Sequence, residues 1–307
     1  MTSFNGFFSR HKKIASTLAV AALASSVVAA TTTSASAVVG KKGGTLVYVT
    51  IADQLNHIDP ARVYTGQDIA FLNSYVFRSL VSYTPVTGVK GANIVPDLAT
   101  NTGTPTNGGK TWSFTLKSGI KWEDGSALTC ADEKYGVSRA FATDVITDGP
   151  SYAIQYLDIP TEKDGSSAYK GPYIKTGQAL YDKAVTCSGN TITFHLNKAI
   201  GDFNYFGSYP AMSPVKASVD QNSATGGANY DKKPLALGPY KIAQYTIGNQ
   251  LQLVRNPMWN AKTDTIRPAF PDSVVMRFSV SEDTRDQIFL NDTTKNAINY
   301  DQGVLLY

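Results

Sequence analysis

NGGKTWSFTLKSGIKWEDGSALTCAD, residues 107–132, is the most patterned stretch of the chain. Trp112, Phe114 and Leu116 alternate with Ser113 and Thr115, the period-two signature of a half-buried strand. After a turn at Gly119, Ile120 and Trp122 continue the alternation, and Glu123-Asp124-Gly125 ends the hairpin. Thr129 and Asp132 then have the spacing of a capping box, with Asp in place of the usual Glu, ahead of a helix through Phe141. The expected local order is strand, turn, strand, turn, capped helix. An alternating aromatic stripe is a core face, so the stretch reads as scaffold and not as ligand contact.

Working outward, residues 45–51 (TLVYVTI) follow Gly43-Gly44 as a β-branched run of strand length. A loop through Leu55-Asn56-His57-Ile58-Asp59-Pro60 comes next. Ile69, Leu72, Val76, Phe77 and Leu80 then recur at helical spacing, which predicts a helix ending near Leu80. Downstream, residues 142–185 are loop-rich. Ile192, Phe194 and Leu196 mark another alternating strand, with Thr191, Thr193 and His195 on its opposite face. Gly238-Pro239-Tyr240 leads into a hairpin turning at Gly248-Asn249, residues 274–278 form a further strand, and residues 285–290 have a helical pattern.

The N-terminus has a different character. Arg10, Lys12 and Lys13 precede an apolar run over residues 14–30, and small residues lead to Ala35-Ser36-Ala37. Basic, apolar, small is the order of a secretory signal peptide, with cleavage expected after Ala37. The run is short for a membrane span and is diluted by Ser and Thr. No twin arginine is present, and no cysteine near the cleavage point offers a site for a lipid anchor. Residues 1–37 carry three basic and no acidic side chains, so the formal charge of +4 falls to +1 without them. That balance leaves no basic face for nucleic acid. Cys130 and Cys187 are the two cysteines. In an oxidising compartment a pair reads first as a disulfide, ahead of a metal site or a nucleophilic thiol, since CxxC and Cys–His spacings are missing. Closing that loop of about 58 residues is worth about 4 kcal/mol in the chain-entropy model.

Catalytic motifs do not stand out. The sequence has neither a G-x-S-x-G elbow nor H-E-x-x-H. Gly109-Lys110-Thr111 resembles the end of a phosphate loop, but the glycine required five residues earlier is Thr104, and a tight turn before a strand explains the glycines better. His11, His57 and His195 are far apart in sequence. No catalytic residue, metal ligand set or cofactor is assigned.

Seven motifs in order do carry a resemblance. Gly43-Gly44-Thr45-Leu46, Ile58-Asp59-Pro60-Ala61, Val95-Pro96-Asp97-Leu98-Ala99, the stretch 107–132, Ser213-Pro214-Val215, Gly238-Pro239-Tyr240, and Leu253-Val254-Arg255-Asn256-Pro257 with Trp259 resemble the bacterial extracellular solute-binding proteins of family 5. That family includes oligopeptide, dipeptide, nickel and some glycan binders. The resemblance implies an α/β fold, periplasmic-binding-protein-like of type II, with an inserted second domain and an incomplete closing lobe. On this reading residues 1–37 are the signal peptide, 38–81 the first part of domain I, 82–185 domain II, 186–271 the second part of domain I, and 272–307 the start of a truncated domain III. Members of the family run well past residue 307, and Gly303-Val304-Leu305-Leu306-Tyr307 reads as an out-of-frame tail.

Function is implied in the same way. The resemblance points to the extracellular substrate-binding component of an ABC importer, taking oligopeptides or dipeptides to a membrane permease. It would be a monomer, secreted or held at the cell envelope, and not an enzyme. It places the loop Gln54, Leu55, Asn56 and His57 at the ligand cleft, and more loosely Tyr152. A nickel, haem or glycan binder of the same family is the alternative, with His57 the candidate ligand for a metal. A secreted hydrolase and a structural envelope protein are the rivals from other classes. Peptide turnover would mark the first, and an absence of any ligand-induced stabilisation the second.

Overall fold

The computed structural model describes residues 40–222, 226–292 and 296–301; the expected signal peptide and the segment 303–307 lie outside them. Among the described residues, eleven strands form three sheets. In chain order they are β1 (Thr45–Val49), β2 (Val81–Tyr83), β3 (Ile94–Pro96), β4 (Thr104–Thr106), β5 (Thr111–Thr115), β6 (Val185–Ser188), β7 (Thr191–His195), β8 (Tyr240–Thr246), β9 (Gln250–Arg255), β10 (Ser273–Arg277) and β11 (Ala297–Asn299). The helices are α1 (Gly66–Tyr75), α2 (Cys130–Ser138), α3 (Tyr152–Tyr156), α4 (Gly171–Ile174), α5 (Gln178–Ala184), α6 (Ala217–Asp220) and α7 (Glu282–Asn291).

The first sheet has the order β11-β1-β10-β9-β8, with β1 parallel to both neighbours and β8–β9–β10 antiparallel. The second is the β2–β3 pair, and the third is the antiparallel β4-β5-β7-β6. Two cores follow. One gathers Tyr48, Phe71, Leu72, Leu253, Val274 and Met276 between the first sheet and α1. The other lies under the third sheet, where Trp112, Phe114, Ile192 and Phe194 meet Val137 of α2 and Phe141 just after it. The alternation read in the sequence is visible here: Trp112 and Phe114 are buried while Thr111, Ser113 and Thr115 are half-buried. The outward hydroxyls pair across strands, Ser113 with Thr193 at 2.9 Å and Thr115 with Thr191 at 3.0 Å.

The capping box forms as spaced: Thr129 Oγ1 accepts from the Asp132 amide, and the Asp132 carboxylate accepts from the Thr129 amide at 2.9 Å. Cys130, the first residue of that helix, is disulfide-bonded to Cys187 on β6, so α2 is tied to the sheet it covers.

Two local expectations are corrected. Ile120 and Trp122 are buried but do not form a second strand of a hairpin; the one pairing there is an isolated bridge between Lys121 and Ala127. Both edges of β5 are already taken, by β4 and β7, so the segment after Gly119 has no strand left to join. The helix predicted to reach Leu80 ends at Tyr75 instead. Leu237 and Gly238 donate to the Val76 carbonyl at 3.1 and 2.8 Å, and Gly238 lies so close that a Cβ there would sit 2.6 Å from the Tyr75 oxygen. A tertiary contact occupies the carbonyl that another helical turn would use.

Several motifs prove to be joints between distant parts of the chain. Asp59 takes a two-pronged ion pair from Arg139, and Asp97 takes Arg78 and Arg267, each at 2.8 Å. Asn256 bonds the Gly238 and Pro239 carbonyls, linking two motifs on neighbouring strands. Gly136 allows α2 to approach the Ser213 carbonyl, where a Cβ would come within 2.1 Å.

Candidate ligand-binding site

The loop after β1 is held from both sides. Asn56 donates its amide to Asp68 of α1 at 3.3 Å, and the Asp231 carboxylate accepts the amides of Ile58 and Asp59, both at 2.7 Å. Within the expected set, Gln54 and Asn56 are exposed. Leu55 turns inward, 2% exposed in the first core, so its side chain packs and only its backbone faces other groups.

His57 is bracketed by two carboxylates, Nδ1 to Asp231 at 2.5 Å and Nε2 to Asp148 at 2.8 Å. Both ring nitrogens thus lie within hydrogen-bond distance of a carboxylate. A metal needs an imidazole lone pair, and both nitrogens are already engaged. Arg62 lies beside the same two acids, at 3.5 Å from Asp148 and 3.6 Å from Asp231. Among the described residues, no group of three or more His, Cys, Asp or Glu side chains is placed to hold a metal ion.

Tyr152 opens α3 and is half-buried. Its ring meets Phe206 at 4.9 Å and Tyr209 at 5.2 Å between centroids. Tyr205, 40% exposed, packs on Phe206 and on Tyr209, and the Tyr205 and Tyr209 hydroxyls bond each other. Tyr83 at the end of β2 stands beside Tyr205. Burial, reinforced by neighbouring tyrosines, holds the phenols of Tyr83, Tyr152 and Tyr209 above their ordinary range.

The loop and the patch share a support. Asp68 of α1 receives Asn56, and Asn73 on the same helix donates to the Ser208 carbonyl at 3.2 Å. Five residues of helix separate the two anchors, about 7.5 Å along the axis. The aromatic run FNYFGSY at 203–209 is visible in the sequence but follows neither the strand nor the helix period, so it gives no orientation. Asp148 and Asp231 are 91 and 174 residues from His57, and nothing in the sequence pairs them.

A cavity of about 410 Å³ lies elsewhere, lined in part by Tyr173, Lys175 and Asp220. Its carboxylate is spoken for: Asp220 accepts from Arg139, Tyr135 and Tyr173 at 2.9, 2.8 and 2.7 Å.

The family model described as bacterial extracellular solute-binding proteins, family 5 middle, matches residues 93–301. Over 159 residues the chain is 29% identical to the periplasmic oligopeptide-binding protein OppA of Salmonella typhimurium, covering 50% of this chain and 27% of that one. Among solved structures, clavulanic acid biosynthesis oligopeptide binding protein 2 superposes with a TM-score of 0.73 at 33% identity, over 82% of this chain and 43% of that one. Listeria monocytogenes OppA bound to peptide shares the fold, with a TM-score of 0.61 at 15% identity over 82% of this chain and 45% of that one. The chain thus spans under half the length of these relatives. The fold is that of a periplasmic solute-binding protein. The chain belongs to the bacterial extracellular solute-binding proteins, family 5.

Proposed function

We propose that this chain carries part of the ligand-recognition surface of an extracellular protein that captures oligopeptides and hands them to the permease of an ABC importer, without making or breaking bonds. The observation that carries this reading is the superposition on an oligopeptide-binding protein over 82% of the chain at 33% identity. The exposed part of the loop, Gln54, Asn56 and the backbone around Leu55, supplies polar contacts to a peptide main chain. His57 acts mainly as a brace, since Asp148 and Asp231 take both its nitrogens. Tyr152 offers an apolar surface for a side chain. Each main-chain hydrogen bond contributes about 0.5–1.5 kcal/mol net, so several reach micromolar affinity, about 8 kcal/mol. The protein works as a monomer outside the cytoplasmic membrane; among the described residues no helix is long and apolar enough to cross one.

Calorimetric titration of the purified chain with short peptides tests this. Saturable binding without peptide turnover supports it, together with a rise in melting temperature as peptide exceeds its dissociation constant. Cleavage of the peptides, or no binding by any of them, overturns it.

A further inference from the structure

The aromatic patch is larger than one cleft residue requires. Tyr83 comes from β2, Tyr152 from α3, and Tyr205, Phe206 and Tyr209 from the segment after β7. Three separate stretches of chain therefore deliver rings to one place. Phe206 is the centre, with Tyr152 at 4.9 Å, Tyr156 at 5.0 Å and Tyr205 at 5.8 Å. Tyr205 is the outermost ring and is 40% exposed, although a tyrosine with so many aromatic neighbours has ample apolar surface to turn toward. Its hydroxyl is held by Tyr209, which fixes the ring instead of letting it fold inward. The backbone beneath is fixed as well, through Asn73 to Ser208 and the Ser208 hydroxyl to the Tyr205 carbonyl at 2.7 Å. A side chain held rigidly while partly exposed loses little entropy when it is covered.

The chemistry of the patch selects its occupant. The phenols of Tyr152 and Tyr209 are held neutral by burial, and Lys198, 5.3 Å from the Tyr156 ring, adds positive charge at one flank. A second cation would be repelled by that ammonium, whereas an aromatic ring matches the ring edges and faces on offer.

We infer that Tyr152, Tyr205 and Tyr209 form a subsite selecting an aromatic side chain of the bound peptide. This rests on the peptide-binding reading above and names which peptides that surface prefers.

The test compares three tripeptides differing at one position, Phe, Ala or Lys, placed in turn at each of the three positions. Binding is measured by calorimetry to the whole chain and to its Tyr205→Ala, Tyr205→Phe and Tyr152→Ala variants. At one position Phe binds about three- to tenfold more tightly than Ala, the range of one aromatic contact. Tyr205→Ala abolishes that preference, while Tyr205→Phe, which keeps the ring and loses only its hydroxyl bond to Tyr209, reduces it by less. Tyr205 is exposed enough that its loss leaves the fold intact, which an unchanged melting temperature verifies. Binding of all peptides with no Phe preference at any position, or a preference that survives both alanine variants, overturns the subsite and leaves the peptide reading standing. Tighter binding of the Lys peptide also overturns it. Failure of every peptide to bind overturns the peptide reading itself, and the subsite with it.

Discussion

Arg139 and Asp59, eighty residues apart, meet in a two-pronged ion pair with both side chains sealed from solvent, Nη1 to Oδ1 at 2.5 Å and Nη2 to Oδ2 at 2.7 Å. The arginine also donates from Nε to Asp220 at 2.9 Å. Burial opposes its charge, but the two carboxylates more than offset this and hold it firmly protonated. The joint fastens the loop after β1 to the end of α2, and so fixes the base of the candidate site.

Removing one partner of such a pair strands charge in the interior. Arg139→Met leaves Asp59 and Asp220 without their cation and is expected to cost about 3–5 kcal/mol. The double variant Arg139→Met/Asp59→Asn recovers part of that loss, because only Asp220 then stays charged and it keeps the hydroxyls of Tyr135 and Tyr173. Urea denaturation of the three proteins reads both numbers. Equal stability of Arg139→Met and the parent would contradict the burial argument.

Glu133 presents the opposite case. It is fully buried on α2, and neither carboxyl oxygen has a hydrogen-bond partner. Burial first, and the neighbouring Asp132 second, push its pKa well above the ordinary glutamate range, so it is a neutral acid in the fold. A folded pKa above the unfolded one makes stability greatest at low pH. The contribution is lost as pH rises from the unfolded value toward the folded one, at about 1.4 kcal/mol per unit. Glu133→Gln removes the titration. The variant should therefore gain on the parent progressively from about pH 4.5 upward, as measured by denaturation midpoints between pH 4 and 8. A pH-independent difference would show that Glu133 does not titrate in the fold.

The strands and the capped helix were legible because their signals are local. Trp112 and Phe114 alternate with hydroxyl residues, and Thr129 meets its capping partner three residues on. The joints were not. Asp59, Asp97 and Asn256 each stand inside a motif recognisable by its letters, yet their partners are Arg139, Arg78 with Arg267, and Gly238. Charge alone does not say which of 24 acidic residues is buried against which of 28 basic ones. The loop at 54–57 shows the same limit at finer scale, since Leu55 packs into the core while Gln54 and Asn56 face out. The resemblance points to Tyr152 alone, whereas Tyr205 and Tyr209 join it by packing that no periodicity encodes.

The Cys130–Cys187 bridge spans 57 residues of sequence. Cys130 is buried in the second core while Cys187 is exposed on β6, so reductant reaches the bond without prior unfolding. Replacing both cysteines by serine should cost up to about 4 kcal/mol through the freed unfolded chain. The same drop should appear when dithiothreitol is added to the parent, and adding it to the variant should change nothing. Thermal denaturation with and without reductant distinguishes the bridge from a mere packing effect of the two sulfurs.

Thr129 makes a finer probe of the same helix. Its hydroxyl oxygen accepts from the Asp132 amide, while Asp132 returns a bond to its backbone and also reaches the Trp122 indole at 3.4 Å. Thr129→Ala removes one side of the box and should cost about 1 kcal/mol, whereas Thr129→Ser keeps the acceptor and should cost only a few tenths. Asp132→Asn retains the acceptor oxygen but gives up the charge that favours a helix N-terminus, a loss of about 0.3–1 kcal/mol that shrinks with added salt. The salt dependence separates the two contributions: the Thr129→Ala deficit stays constant between low and high salt, and the Asp132→Asn deficit does not. If both deficits respond to salt alike, the cap acts through charge alone and the hydrogen-bond account of α2 fails.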